Sequence, residues 1–153
     1  ERYRTTILEP IELPAIARAN REATQGRAME LIELDQKFAG QHPEWLLLTP
    51  ASTRVGKDYL TRLRPLQDER TVQRLFDAVR FGRTPGHHLT VFGLTMAVFS
   101  IAKRQGLADY AQYALEAIVT TAASKLKFTQ SDRDALLTRS QVHLPEAIDR
   151  MVA

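Results

Sequence analysis

The sequence predicts an all-α fold, a single-domain bundle of six or seven helices around one apolar central helix at about residues 85–105. Three observations carry that expectation. Apolar residues recur three and four positions apart along most of the chain, the period of a helix packed on one face. Pro and Gly cut this pattern into helix-length pieces. One piece, with Leu89, Val91, Phe92, Leu94, Met96, Val98, Phe99 and Ile101, is apolar nearly all round, as a helix enclosed by others must be.

Each element follows from local chemistry. Glu1–Leu13 has no clear period and holds Pro10, so it reads as an extended N-terminal arm. Pro14 suits the first turn of a helix. Ile16, Ala19 and Ala23 then lie on one face. Ala28, Leu31, Ile32, Asp35 and Phe38 continue in a second phase with one polar break, and Gly26 marks the kink or the gap between two helices. Gly40 is a C-terminal cap candidate. Trp45-Leu46-Leu47-Leu48 has no second strand to pair with and reads as an apolar plug tucked into the core. Ser52 or Thr53 caps the next helix, whose stripe is Val55, Tyr59, Leu60 and Leu63. Pro65 ends it. Asp68 opens a helix with Val72, Leu75, Phe76 and Val79 in register, stopped by Gly82. Thr84-Pro85 is a hydroxyl cap followed by Pro at the first helical position, and opens the central helix. A further helix spans about Ala108–Lys127, with Tyr110, Tyr113, Ala114, Ala117, Ile118 and Thr121 facing inward. Ser131 caps a shorter one, and Pro145 starts the last. The domain expected to follow the arm is 14–153, as part of a longer protein.

Composition sets the bounds on chemistry. A chain of 153 residues that is 44% hydrophobic and 25% charged is an ordinary globular domain. It can bury roughly 70% of its extended surface without a metal or a cross-link. With no Cys it has no disulfide, thiolate nucleophile or Cys-based zinc site. A reducing cytoplasm suits such a chain, with a tether outside this sequence compatible with it. No apolar run reaches the ~20 residues that span a bilayer.

The net charge of +3 is mild, but its placement is uneven. Residues 46–83 carry eight basic and four acidic side chains, while residues 1–45 carry six basic and eight acidic. Arg54, Lys57, Arg62, Arg64, Arg70 and Arg74 are therefore the candidate partner-binding residues. Arg70 and Arg74 are four apart and share a helical face.

No sequence pattern specifies a catalytic or cofactor site. Ala51–Asp58 follows an apolar run and precedes a helix, the context of a phosphate-binding loop. Its first Gly is Ala51, and the hydroxyl that would hold Mg²⁺ is Asp58. His42, His87, His88 and His143 show no metal-ligand spacing, and adjacent His87 and His88 point in different directions from a helix. Their expected place is the solvent-facing first turn of the central helix, in the neutral form. Ser52, Ser100, Ser124, Ser131 and Ser140 lie in no nucleophile elbow. Residues 101–118 look like a helix-turn-helix unit through Ala102 and Gly106. Yet Tyr110–Ile118 offers no Arg or Lys to phosphates or guanine.

The function expected is therefore a non-catalytic helical adaptor in a larger, bacterial-type assembly, needing no cofactor or metal. It meets an acidic protein surface or segment through the arginine-rich face. Nucleic-acid binding by that face, or by residues 101–118, is the alternative. A third class is a small helical enzyme with a pocket near His87, His88 and Trp45. Oligomerisation is compatible with all three.

Overall fold

The computed structural model describes residues 1–153 and is all-α, with no strand. The chain divides into two compact units, residues 14–101 and residues 1–13 with 102–153. Residues 1–13 group with the C-terminal third of the chain in one of these units.

The unit of residues 14–101 is built from five helices. These are α1 (Leu13–Thr24, almost wholly within it), α2 (Ala28–Gln41), α3 (Thr49–Leu63), α4 (Arg70–Arg80) and α5 (His88–Val98), with a 3₁₀ turn at Pro43–Trp45. Gly26 stands at φ +68 between α1 and α2, so two helices form there rather than one kinked helix. The core joins Ala19 and Ala23 of α1, Leu31 and Ile32 of α2, Leu60 and Leu63 of α3, Val72, Leu75 and Ala78 of α4, and Val91 and Leu94 of α5. Helix α5 is the apolar central helix, but it is shorter than residues 85–105. It ends at Val98, and Ser100 at φ 52 turns the chain away. Its Gly93 lies so close to α1 that a Cβ would stand 2.6 Å from Ala19 Cβ and 2.8 Å from Ile16 O. Only hydrogen fits there.

The second unit holds α6 (Lys103–Leu126), α7 (Gln130–Gln141) and α8 (Leu144–Val152). Residues 1–13 do not form an extended arm. Arg4–Glu12 is a π-helix, and Leu13 N–H reaches back five residues to Leu8 O. Pro10 sits inside it. Proline has no N–H and crowds the carbonyl four residues back in an α-helix, and the wider turn relieves that crowding. Helix α6 turns a different face inward from the one its aromatics suggest. Leu107, Ala111, Leu115, Val119 and Ala123 are buried, while Tyr113 and Ile118 are exposed. Spaced four apart, these side chains form one continuous apolar ridge on which α7 and α8 pack. Thr129, rather than Ser131, caps α7 through a reciprocal capping box with Asp132.

Candidate functional site

Two features of the unit of residues 14–101 bear on function: a buried polar hub and a basic face. Asp35 is the polar break in the α2 stripe, and it is fully buried. Its carboxylate accepts from Thr84 Oγ1 at 2.6 Å, Gly86 N at 2.6 Å and His87 N at 2.8 Å. The Thr84 hydroxyl thus serves Asp35 rather than the start of a helix, and α5 begins only at His88. Backbone donors aimed at a carboxylate fix the 84–88 loop to α2.

Helix α3 closes on the other side of this loop. Gly56 lies so near it that a Cβ would stand 2.0 Å from Gly86 O and 2.8 Å from His88 N. Gly56 is therefore a close-packing residue. The whole Ala51–Asp58 stretch lies inside α3, so its backbone N–H groups are spent in the helix and form no phosphate cradle. Ser52, one turn before Gly56, is a buried helical residue and not a cap. Its Oγ lies 2.8 Å from His88 Nδ1 and 3.3 Å from His87 Nδ1, and accepts from His88 N at 3.3 Å. The α3 face turned inward is thus Ser52, Gly56, Leu60 and Leu63, whereas Tyr59 is exposed.

The histidines do not face solvent. His87 is 0% exposed and packs its ring at 5.2 Å from Phe38, while His88 stacks at 5.9 Å on Trp45. Burial lowers both pKa values. It brings His88 down to about 4, with the neighbouring His87 adding to the effect, and the Asp35 charge partly opposes the fall at His87. Both rings are neutral at pH 7 because of desolvation, not the helix dipole. Trp45 anchors the cluster at 1% exposure. The rest of the supposed plug does not enter the core: Leu47 is 93% exposed, and Leu46 and Leu48 are exposed beside it. Trp45 closes the 3₁₀ turn and Leu46–Leu48 form the turn that follows, so one residue of the four reaches inward.

The structure thus brings His87, His88 and Trp45 together, and adds Asp35 and Ser52. The Ser–His contact has the distance of a nucleophile and its base, but not their setting. Ser52 is buried, and Asp35 holds backbone amides instead of orienting a histidine ring. No three His, Asp or Glu side chains converge to hold a metal ion. The cluster is a polar clasp joining α2, α3 and the 84–88 loop.

The six cations singled out from the sequence all lie exposed on or just after α3 and α4. Arg54, Lys57 and Arg62 are on α3, Arg64 follows it, and Arg70 and Arg74 are on α4. None enters an ion pair, unlike Arg4, Arg21, Arg27, Lys37 and Arg104 elsewhere. The Arg62 guanidinium lies 5.7 Å from the Tyr59 ring centroid, and that of Arg64 lies 5.3 Å from Phe76. An open groove of about 320 Å³ runs between the two helices, lined by Lys57, Leu60, Thr61, Phe76, Val79 and Arg80. Arg80 belongs to the basic excess visible in the sequence, whereas Thr61, Phe76 and Val79 were not legible there as surface features. The signal was a stripe of unusually wide span on α4, where Phe76 and Val79 flank the buried Val72, Leu75 and Ala78.

Residues 101–118 form no helix-turn-helix. Gly106 lies inside α6, and Tyr110–Ile118 is the middle of that 24-residue helix. The chain leaves α5 at Phe99–Ala102, so the turn is not at Ala102–Gly106. No helix is long and apolar enough to cross a membrane.

Comparison with curated proteins and with solved structures finds no match. The UreF family model matches residues 5–141, most of the 153-residue chain. A non-catalytic helper that acts on other proteins agrees with a serine–histidine pair held in a structural clasp. The chain belongs to the UreF family of urease accessory proteins, whose role is non-catalytic and exercised through protein interaction.

Proposed function

We propose that this chain assists urease maturation as a scaffold in the cytoplasm, and that it meets an acidic protein partner through the α3–α4 face. The observation that carries this reading is the set of six exposed cations without an ion pair on α3, at its C-terminal end and on α4. Exposed charges left unpaired within the fold are free to form bidentate pairs with carboxylates of another protein. Such a face raises the association rate with an acidic partner, and the gain falls with ionic strength.

The test is to reverse Arg62, Arg70 and Arg74 together to Glu. All three are exposed, so the variant keeps its fold, checked by circular dichroism and thermal melting. In cells whose only UreF-family protein is this chain, urease activity falls at least tenfold with the triple variant. Unchanged activity with normal protein levels would sink the reading. A parallel anisotropy titration uses labelled duplex DNA and single-stranded RNA at ~50 and ~200 mM salt, where phosphate-driven binding changes most. Tight binding that weakens steeply with salt would move the same arginines to nucleic acid.

A further inference from the structure

The groove between α3 and α4 combines two properties that the rest of the basic face lacks. Its floor is apolar: Leu60 belongs to the core, and Phe76 and Val79 pack against that core while remaining partly open. Its walls carry one cation each, Lys57 from α3 and Arg80 from α4. No acidic side chain lines it, and Asp58 and Asp77, next in sequence to two of its lining residues, are not among them. Neither Lys57 nor Arg80 is in an ion pair, and the Arg80 guanidinium rests 5.6 Å from the Phe81 ring centroid. Phe81, at the end of α4, is itself largely exposed.

We propose that this groove docks a segment of a partner protein that carries one or two apolar side chains flanked by carboxylates. The proposal rests on the acidic-partner reading above and assigns its anchoring point. Charge alone holds partners loosely, because exposed ion pairs contribute little. An apolar anchor seated on Leu60, Phe76 and Val79 expels water from the groove. Carboxylates to either side of that anchor then meet Lys57 and Arg80 where screening is weaker. The volume, about 320 Å³, is near the lower end of the ~300–1,000 Å³ typical of ligand pockets, which suits one or two side chains rather than a large cofactor. The apolar floor favours a peptide over a phosphate-rich ligand. A sugar–phosphate chain would desolvate there without a partner for its oxygens.

The experiment uses the full chain, labelled with ¹⁵N. The probe is a fluorescent peptide with a Phe-Leu pair flanked by three glutamates on each side. Two control peptides replace the Phe-Leu pair with serines or the glutamates with lysines. The expected result is saturable binding of the first probe alone. Amide shifts centre on residues 57–61 and 76–80. Thr61→Glu weakens binding by tenfold or more. Thr61 is exposed and its side chain bonds only the Lys57 carbonyl, so this variant folds normally. Arg70→Glu, outside the groove, changes affinity by less than threefold.

Equal binding of the serine peptide, or shifts confined to other surfaces, overturns the groove while leaving a general basic face intact. No binding of any peptide at millimolar concentration also overturns it. The same Thr61→Glu change, made in the urease assay, separates the two claims. Loss of activity with the arginine triple but not with Thr61→Glu keeps the broader reading and rejects the groove. Self-association that Thr61→Glu abolishes would give the groove to a second copy and equally reject the proposal.

Discussion

Removing the Asp35 carboxylate is the sharpest test of the buried clasp. In Asp35→Ala, three donors lose their acceptor at once: Thr84 Oγ1, Gly86 N and His87 N. The threonine hydroxyl can rotate to another acceptor, but the two amides cannot. Each buried amide left unpaired costs about 1–3 kcal/mol, and a cavity of carboxylate size adds to that. The expected loss is about 3–6 kcal/mol, a large part of the ~5–15 kcal/mol that holds a typical domain folded. Asp35→Asn keeps one acceptor oxygen but turns an NH₂ toward one of the donors, so it falls between Ala and wild type. Thr84→Val removes a single bond and costs about 1 kcal/mol. Urea unfolding followed by Trp45 fluorescence measures this directly, since Trp45 is the only tryptophan and is buried against Phe38 and His88. The ranking Ala, then Asn, then Thr84→Val is the prediction. A loss below 1 kcal/mol for Asp35→Ala would falsify the claim that these amides depend on Asp35.

Three further outcomes follow from the same geometry. The folded-state pKa of His88, about 4, lies below its ordinary value of 6.5, so protonation favours unfolding. The stability of the Trp45-containing unit is therefore full above pH ~6.5 and falls by about 3 kcal/mol as pH drops toward ~4; a flat urea midpoint over that range would contradict it. Glu12 has the opposite sign: burial lifts its pKa to about 7, against the hydrogen bonds of Tyr3 and Tyr110. Its folded form prefers the proton, so docking of the N-terminal helix is firmest below pH ~4.5 and loosens as pH rises through ~7, and Glu12→Gln makes amide protection of residues 4–12 independent of pH once intrinsic exchange is corrected. Gly56→Ala places a Cβ 2.0 Å from a backbone oxygen that no rotamer change can move, and costs about 3 kcal/mol or more in the same urea assay.

The sequence made the helical class legible because apolar periodicity and Gly or Pro breaks are local signals. Gly26, at positive φ between two helices, is a break of that kind. The surface placement of Arg54 to Arg74 was legible for the same reason, since charged residues avoid cores. Asp35 was visible only as an interruption in an apolar stripe. Its meaning depends on residues 84, 86 and 87, about fifty positions away, and no local pattern encodes that pairing. Ser52 likewise matched a helix cap in sequence, whereas two histidines from another segment claim its hydroxyl. The exposure of Leu46–Leu48 is not legible in the sequence, because hydrophobicity alone does not say which of four adjacent side chains a turn points inward. The same limit applies to α6, where the face that packs on α7 and α8 is Leu107, Ala111, Leu115, Val119 and Ala123, not the one that carries Tyr113 and Ile118.

The clasp and the basic face are linked by construction. Asp35 fixes the 84–88 loop to α2, and Gly56 lays α3 directly on that loop. Val79 of α4, which lines the groove, sits where any Cβ on Gly86 would fall, 2.9 Å from its Cγ2. Gly86 at φ +77 is therefore held on three sides, by the Asp35 carboxylate, by α3 and by α4. The two histidines and Ser52 complete that joint. A protein that works by presenting a surface needs its helices held at fixed spacing, because a partner reads distances between side chains. Changes at Asp35 or Gly56 should consequently weaken the α3–α4 face without touching it, and if the proposed role holds, the loss of activity in the cellular urease assay should track the loss of stability of the clasp in variants that remain folded.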